Sequence, residues 1–80
     1  MTADAIKKLL SAQPFRPFRV RLASGKEVPI PHPELVNFSP GGRTMVVWRP
    51  DESDESFDML DVLLIESAEP IDETQNGSAA

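Results

Sequence analysis

Pro14-Phe15-Arg16-Pro17-Phe18-Arg19-Val20-Arg21-Leu22 reads as the end of a helix followed at once by a β-strand with two different faces. Proline cannot continue a helical hydrogen-bond ladder, so the first residue of this segment is expected to end the helix. Apolar residues at positions 18, 20 and 22 then alternate with Arg19 and Arg21. This alternation predicts a strand with one face in a core and an opposite face that is cationic.

The pattern on either side of this segment predicts one helix and several short strands. Thr2 is a suitable N-cap, and Ile6, Leu9 and Leu10 follow at the spacing of one helical face. Gly25 supplies a tight turn after the first strand. Further strands are predicted at residues 27–30, 37–39, 44–49, 57–60 and 63–68, with the 57–60 strand too polar to be buried.

A helix followed by about five short antiparallel strands is the plan of a small barrel. The expected fold class is therefore α+β, an N-terminal helix followed by a five-stranded antiparallel SH3-like or Sm-like β-barrel. We expect residues 1–71 to form this single domain. Residues 72–80 lack apolar side chains that could offset the entropy of ordering, so a disordered tail is predicted there.

Composition narrows the class of protein further. The chain has 80 residues, no cysteine and a net charge of −5. All eight basic residues fall within residues 1–50, with three acids, whereas residues 51–80 hold the other ten acids. No signal peptide or transmembrane segment is evident, and disulfides are excluded. These features predict a soluble cytoplasmic protein of bacterial type with no membrane partner.

Two resemblances add to this interpretation. Pro14-Phe15-Arg16-Pro17-Phe18, together with Leu22-Ala23-Ser24-Gly25 and Leu63-Leu64-Ile65-Glu66, resembles a family of small uncharacterised bacterial proteins over roughly residues 5 to 69. The helix, the Leu22-x-x-Gly25 turn and the strand at Ile65 are also similar, less specifically, to the Sm-like fold of the bacterial RNA chaperone. The second resemblance implies RNA binding.

Signals for catalysis or for metal binding are weak. His32 is the only histidine, and it stands between two prolines without a nucleophile beside it in sequence. Asp51, Ser53 and Glu55 have the spacing of a calcium loop, but Ser56 occupies the position where such a loop needs glycine. Residues 41–44 lack the ending of a phosphate-binding loop. We therefore expect a protein that is not an enzyme and that needs no cofactor or metal.

The candidate binding residues are Arg16, Arg19, Arg21 and Trp48. The leading hypothesis is protein interaction, through the arginine face of the first strand or through a face formed by Val46 and Trp48. A homo-oligomer is also possible. The alternative is RNA binding through the same arginines, which the acidic residues 51–55 would mask if they lay nearby.

Overall fold

The computed structural model of this protein describes residues 1–53 and 55–71. Helix α1 spans Ala3–Leu10, and the hydroxyl of Thr2 accepts a hydrogen bond from the backbone N–H of Ala5 at 3.3 Å. The predicted N-cap is therefore confirmed. The helix ends at Leu10, with Ser11 as its C-cap, so it stops before Pro14 is reached.

Six strands follow the helix. Between the strands, Pro33–Leu35 and Val62–Leu64 each form a single 3-10 turn. The side chain of Asp61 caps the Val62–Leu64 turn by accepting a hydrogen bond from the N–H of Leu63. The strands are β1 (Phe18–Leu22), β2 (Glu27–Ile30), β3 (Val36–Phe38), β4 (Thr44–Trp48), β5 (Phe57–Asp61) and β6 (Ile65–Pro70). The predicted positions of the first five strands hold to within a residue or two, and the last strand begins two residues later than expected.

The strands form two separate antiparallel sheets, and this corrects the predicted five-stranded barrel. The first sheet has the order β2-β1-β6 and the second has the order β3-β4-β5. The chain passes between sheets twice, and each time a 3-10 turn interrupts the strand pairing. Prolines reinforce the break, since Pro29 has no N–H to offer a further strand beyond β2. The sheets therefore pack over a shared core without closing into a barrel.

The core lies between the two sheets and is closed at one side by α1. Val20 and Phe18 are buried, as the alternation in β1 predicts, and Leu22 is partly buried. Leu60 is also buried, so the expectation that the 57–60 segment stays outside the core is wrong for this residue. The other buried residues are Ile6, Val28, Ile30, Val36, Met45, Val47, Val62 and Ile65.

Two further predictions concern the C-terminal tail and membrane-spanning segments. The predicted tail, residues 72–80, lies outside the described residues. In the part of the chain that the structure describes, α1 is a short helix, and no helix has the length and apolar character needed to cross a membrane.

Candidate functional site

The outer side of the second sheet carries a cluster of apolar side chains. Val46 lies opposite Met59, and Trp48 lies opposite Phe57, so two neighbouring cross-strand pairs share one face. Trp48 is 37% exposed, Phe57 48% and Met59 65%. The rings of Trp48 and Phe57 are in contact, with centroids 5.2 Å apart and planes tilted by 53°. We call these four residues the outer apolar face.

Strand alternation explains why these side chains point away from the core. Met45 and Val47, which alternate with Val46 and Trp48 in β4, are fully buried between the sheets. Successive residues in a strand point to opposite sides of the sheet, so the core takes one set and solvent receives the other. The sequence left open whether both faces of β4 are buried. The structure shows that the face with Trp48 is not.

Trp48 is held in place by a polar contact. Its indole Nε1 donates a hydrogen bond to the side-chain Oδ1 of Asn37 at 3.2 Å. Asn37 is on β3, directly opposite Val46, and its side chain therefore rises on the same face of the sheet. This contact restrains the orientation of the indole ring on the outer side of the sheet.

A groove of about 300 Å³ lies beside Trp48. Three prolines line it: Pro29 in β2, Pro31 just after β2, and Pro50 in the turn after β4. Leu35, His32 and Arg49 lie around them. Trp48 borders the groove and also belongs to the outer apolar face. Sequence reasoning found Trp48 but missed the groove, because β2 and β4 are brought together only by the packing of the two sheets.

A cluster of charged side chains connects the end of the second sheet to the β1–β2 hairpin of the first sheet. Asp58, whose side chain is only 12% exposed, accepts hydrogen bonds from Lys26 Nζ at 2.9 Å and from Arg49 Nε. Arg49 also donates to Glu52 at 2.7 Å. Burial alone would raise the pKa of Asp58, but the hydrogen bonds from Lys26 and Arg49 outweigh it and hold this pKa below its ordinary value. Asp58 is therefore a carboxylate that links the β1–β2 hairpin to β4.

A second ion pair lies at the other end of β5. Arg43 donates two hydrogen bonds to the carboxylate of Asp61, both at 3.3 Å. The hydrogen bonds from Arg43 and from the N–H of Leu63 lower the pKa of Asp61. Arg43 is 67% exposed, so this pair sits in solvent beside the outer apolar face.

The arginine face of β1 is the second predicted site, and it is already paired with acids. Arg21 Nε lies 3.5 Å from Glu27, and Arg19 lies 3.9 Å from Glu27 and 3.7 Å from Glu69. Glu27 and Glu69 stand on the strands that flank β1. The acids that meet Arg19 and Arg21 in the described residues therefore come from the same sheet. The masking predicted for residues 51–55, of which residue 54 lies outside the described residues, stays a prediction.

Two other residues that the sequence singled out lie in different grooves, Arg16 away from Trp48 and His32 near it. Arg16 lines a groove of about 220 Å³ between α1 and the first sheet, next to Leu9 and Phe18. His32 is exposed at the rim of the groove that Trp48 borders. Within residues 1–53 and 55–71, no group of three or more acidic or histidine side chains is placed to hold a metal ion. Trp48 thus lies on the second sheet, whereas Arg19 and Arg21 lie on the first sheet and Arg16 lies in the segment before β1.

Comparison with known proteins adds no relative to this picture. The chain matches no protein-family model, and searches of curated proteins and of solved structures found no match. The two family resemblances stay predictions from the sequence.

Proposed function

We propose that this protein is a non-catalytic binding module that contacts another protein through the outer apolar face and the groove beside Trp48. The observation that carries this proposal is the exposure of Trp48, Phe57 and Met59 side by side on one sheet. Single exposed apolar residues are ordinary on protein surfaces, but contiguous ones mark interaction sites. Tryptophan is also enriched among the residues that dominate binding energy.

The groove supports this proposal by offering depth next to a flat surface. Its volume of about 300 Å³ suits one or two side chains of a partner. Proline walls are rigid, so little conformational freedom is lost when the groove is filled. Trp48 connects the groove to the flat face, which makes it the residue expected to contribute most to binding.

The RNA-binding alternative has less support. Phosphate binding gains affinity from free cationic side chains that displace counterions. Arg19 and Arg21 already lie beside Glu27 and Glu69, and the net charge of −5 repels a polyanion. RNA binding would have to break these ion pairs, at a free-energy cost that binding through the outer apolar face does not have.

Affinity capture with matched variants tests the proposal. The tagged protein is used to capture partners from its own cell extract, and the captured proteins are quantified for the native chain, Trp48→Glu and Arg21→Ser. We expect Trp48→Glu to lose the specific partners and Arg21→Ser to keep them, at high salt as well as low, because apolar contacts are not screened. Circular dichroism is the control that checks whether both variants are folded.

The opposite pattern would overturn this proposal. Partners that survive Trp48→Glu but disappear with Arg21→Ser or with raised salt would place binding on the arginine face. RNA recovered under the same conditions would favour the alternative function.

A further inference from the structure

We propose that the free edge of β5 pairs with the same edge of a second copy of this chain, forming a symmetric dimer with a continuous antiparallel sheet. This inference rests on the proposed interaction role of the outer apolar face, and it names one partner for part of that face. β5 is the outermost strand of its sheet, next to β4 only. An uncovered strand edge that carries large apolar side chains is a template for pairing with another chain.

The hydrogen-bond phase of β5 shows which backbone groups face outward. Arg49 N–H donates to the carbonyl of Ser56, and Val62 N–H donates to the carbonyl of Arg43. Because hydrogen-bonded and non-hydrogen-bonded positions alternate along an antiparallel pair, the even-numbered residues of β5 bond to β4. The N–H and C=O groups of Phe57, Met59 and Asp61 therefore point to the open side.

Two of these residues, Phe57 and Met59, belong to the outer apolar face, and the third, Asp61, forms the ion pair with Arg43. Met59 is 65% exposed, the highest value among the large apolar residues of the described chain. Backbone groups and apolar side chains are thus available on one strand at alternate positions. In the described part of the chain, no backbone hydrogen bond is formed on this outer side of β5.

A two-fold register centred on Met59 uses all of these groups. It places Met59 opposite Met59 of the second copy, and Phe57 opposite Asp61, in both directions. Each of these pairs is of the hydrogen-bonded type, in which two residues exchange both of their backbone hydrogen bonds. Because the contact is symmetric it closes on itself, and it stops at two copies.

Charge along β5 disfavours a parallel pairing of two copies, because that would bring their acidic segments together, whereas an antiparallel pairing keeps these segments at opposite ends. The segment before β5 is acidic, with Asp51, Glu52 and Glu55 all exposed, whereas Arg43 lies at the opposite end beside Asp61. Antiparallel pairing places the acidic end of each copy beside the end of the other copy that holds the Arg43–Asp61 ion pair. The Arg43 guanidinium would then lie near Phe57 of the second copy, where a cation and an aromatic ring attract each other.

Molar mass measured by light scattering during size exclusion, from micromolar to near-millimolar protein, gives the first test. We expect the native chain to approach twice its 8.8 kDa mass as concentration rises. Met59→Pro removes an outward N–H that β4 does not use, so this variant should still fold. The dissociation constant of its dimer should rise by a factor of at least about ten. Gly41→Ala is the matched control, since it lies in a different turn with open space around it, and it should dimerise as the native chain does.

Cross-linking gives a second test that does not depend on the proline variant. The chain has no cysteine, so Met59→Cys introduces a single thiol. In the proposed register two such positions lie about 5.5 Å apart between Cα atoms, within the range of about 4.4–6.8 Å that a disulfide spans. We expect a covalent dimer on mild oxidation of Met59→Cys, and none from Leu9→Cys on α1.

These tests separate the dimer from the proposed function. A native chain that stays monomeric at every concentration overturns the dimer. The dimer proposed here is also overturned if Met59→Pro still dimerises and Met59→Cys forms no cross-link. If a monomeric chain still captures partners in a Trp48-dependent way, the proposed function stands without the dimer. If the chain dimerises but captures no partner in a Trp48-dependent way, the contact between β5 edges stands and the proposed binding function fails.

Discussion

Asp58 stays ionised next to the core because two cations reach it from two directions. Lys26 approaches from the turn between β1 and β2, and Arg49 approaches from the end of β4. Neither contact is visible in the sequence, where 32 positions separate Lys26 from Asp58. The structure thus shows that Asp58 joins the two sheets, in a segment that the sequence predicted only to be too polar for burial.

The lowered pKa of Asp58 predicts a pH dependence of stability. Because the folded-state pKa lies below the ordinary value of 3.8, the ionised carboxylate stabilises the fold at pH above about 5. This contribution is lost as the pH falls through 3.8 and then through the lower folded-state pKa. We expect Asp58→Asn to lower the free energy of unfolding by about 1 kcal/mol at pH 7, a value reduced by solvent screening of the partly exposed partners.

Urea denaturation at a series of pH values measures this effect. The curves of the native chain and Asp58→Asn should converge as the pH approaches 2. Glu34→Gln, a change at an exposed acid, should run parallel to the native chain throughout. A gap between the native chain and Asp58→Asn that stays constant below pH 4 would contradict the assignment.

Residue-level reasoning on the two predicted surfaces had mixed results. Arg19 and Arg21 lie on the solvent side of β1, as the alternating pattern indicated, whereas the outward position of Trp48 was left open by the sequence. The pattern could not show that Glu27 and Glu69 pair with the arginines, because pairing depends on which strands become neighbours. It also could not show that Phe57 lies against Trp48.

At the scale of elements, turns are the most local features of this chain. Gly25 has a φ of +93° in the β1–β2 hairpin, and its N–H donates to the carbonyl of Leu22 at 2.8 Å. Glycine adopts this left-handed conformation without the steric penalty that a Cβ brings. The sequence predicted this turn correctly because its chemistry lies within four consecutive residues.

A matched pair of glycine substitutions tests the role of this turn. Gly25→Ala should destabilise the fold by about 1 kcal/mol, since space is open around the added methyl and only the backbone conformation is strained. Gly41→Ala, at a position with equally open space and no positive φ, should change stability by less than about 0.5 kcal/mol. Thermal melts of both variants check this, and equal losses would contradict a conformational origin.

At the scale of the whole molecule, two small sheets share one core. Val20, Val28 and Ile30 from the first sheet are buried, and so are Met45 and Val47 from the second. Without the other sheet, the inner apolar face of each sheet would be exposed to water, and a domain of this size has little stability to spare. The two sheets are therefore expected to fold as one cooperative unit.

A probe in each part of the molecule tests this cooperativity. Trp48 is the only tryptophan, so its fluorescence reports on the second sheet, while far-ultraviolet circular dichroism reports on all strands. Ile30→Ala, in the first sheet, should lower the free energy of unfolding by about 2–5 kcal/mol. Both signals should shift together by the same amount. Fluorescence that stays at the native midpoint while circular dichroism shifts would show that the sheets unfold separately.

Local sequence signals account for the helix cap, the turn glycines, the strand positions and the inward and outward faces of β1. Each depends on residues within a few positions of one another, where backbone sterics and a period of two apply directly. The barrel was a wrong prediction because closure depends on whether distant strand edges meet. Pro29 and the two 3-10 turns prevent that meeting, and their effect on pairing appears only in three dimensions.

The one-dimensional pattern was enough to establish that this chain forms a small α+β domain with alternating strands and an arginine-bearing face on β1. Sheet packing was needed to bring Pro29 of β2 to the groove beside Trp48, to place Lys26 on Asp58 and to leave the edge of β5 open. The reason is one of distance along the chain. Periodicity and turn chemistry act between neighbours in sequence, whereas a groove, an inter-sheet ion pair and a free edge are made by residues that the chain brings together only after it has folded.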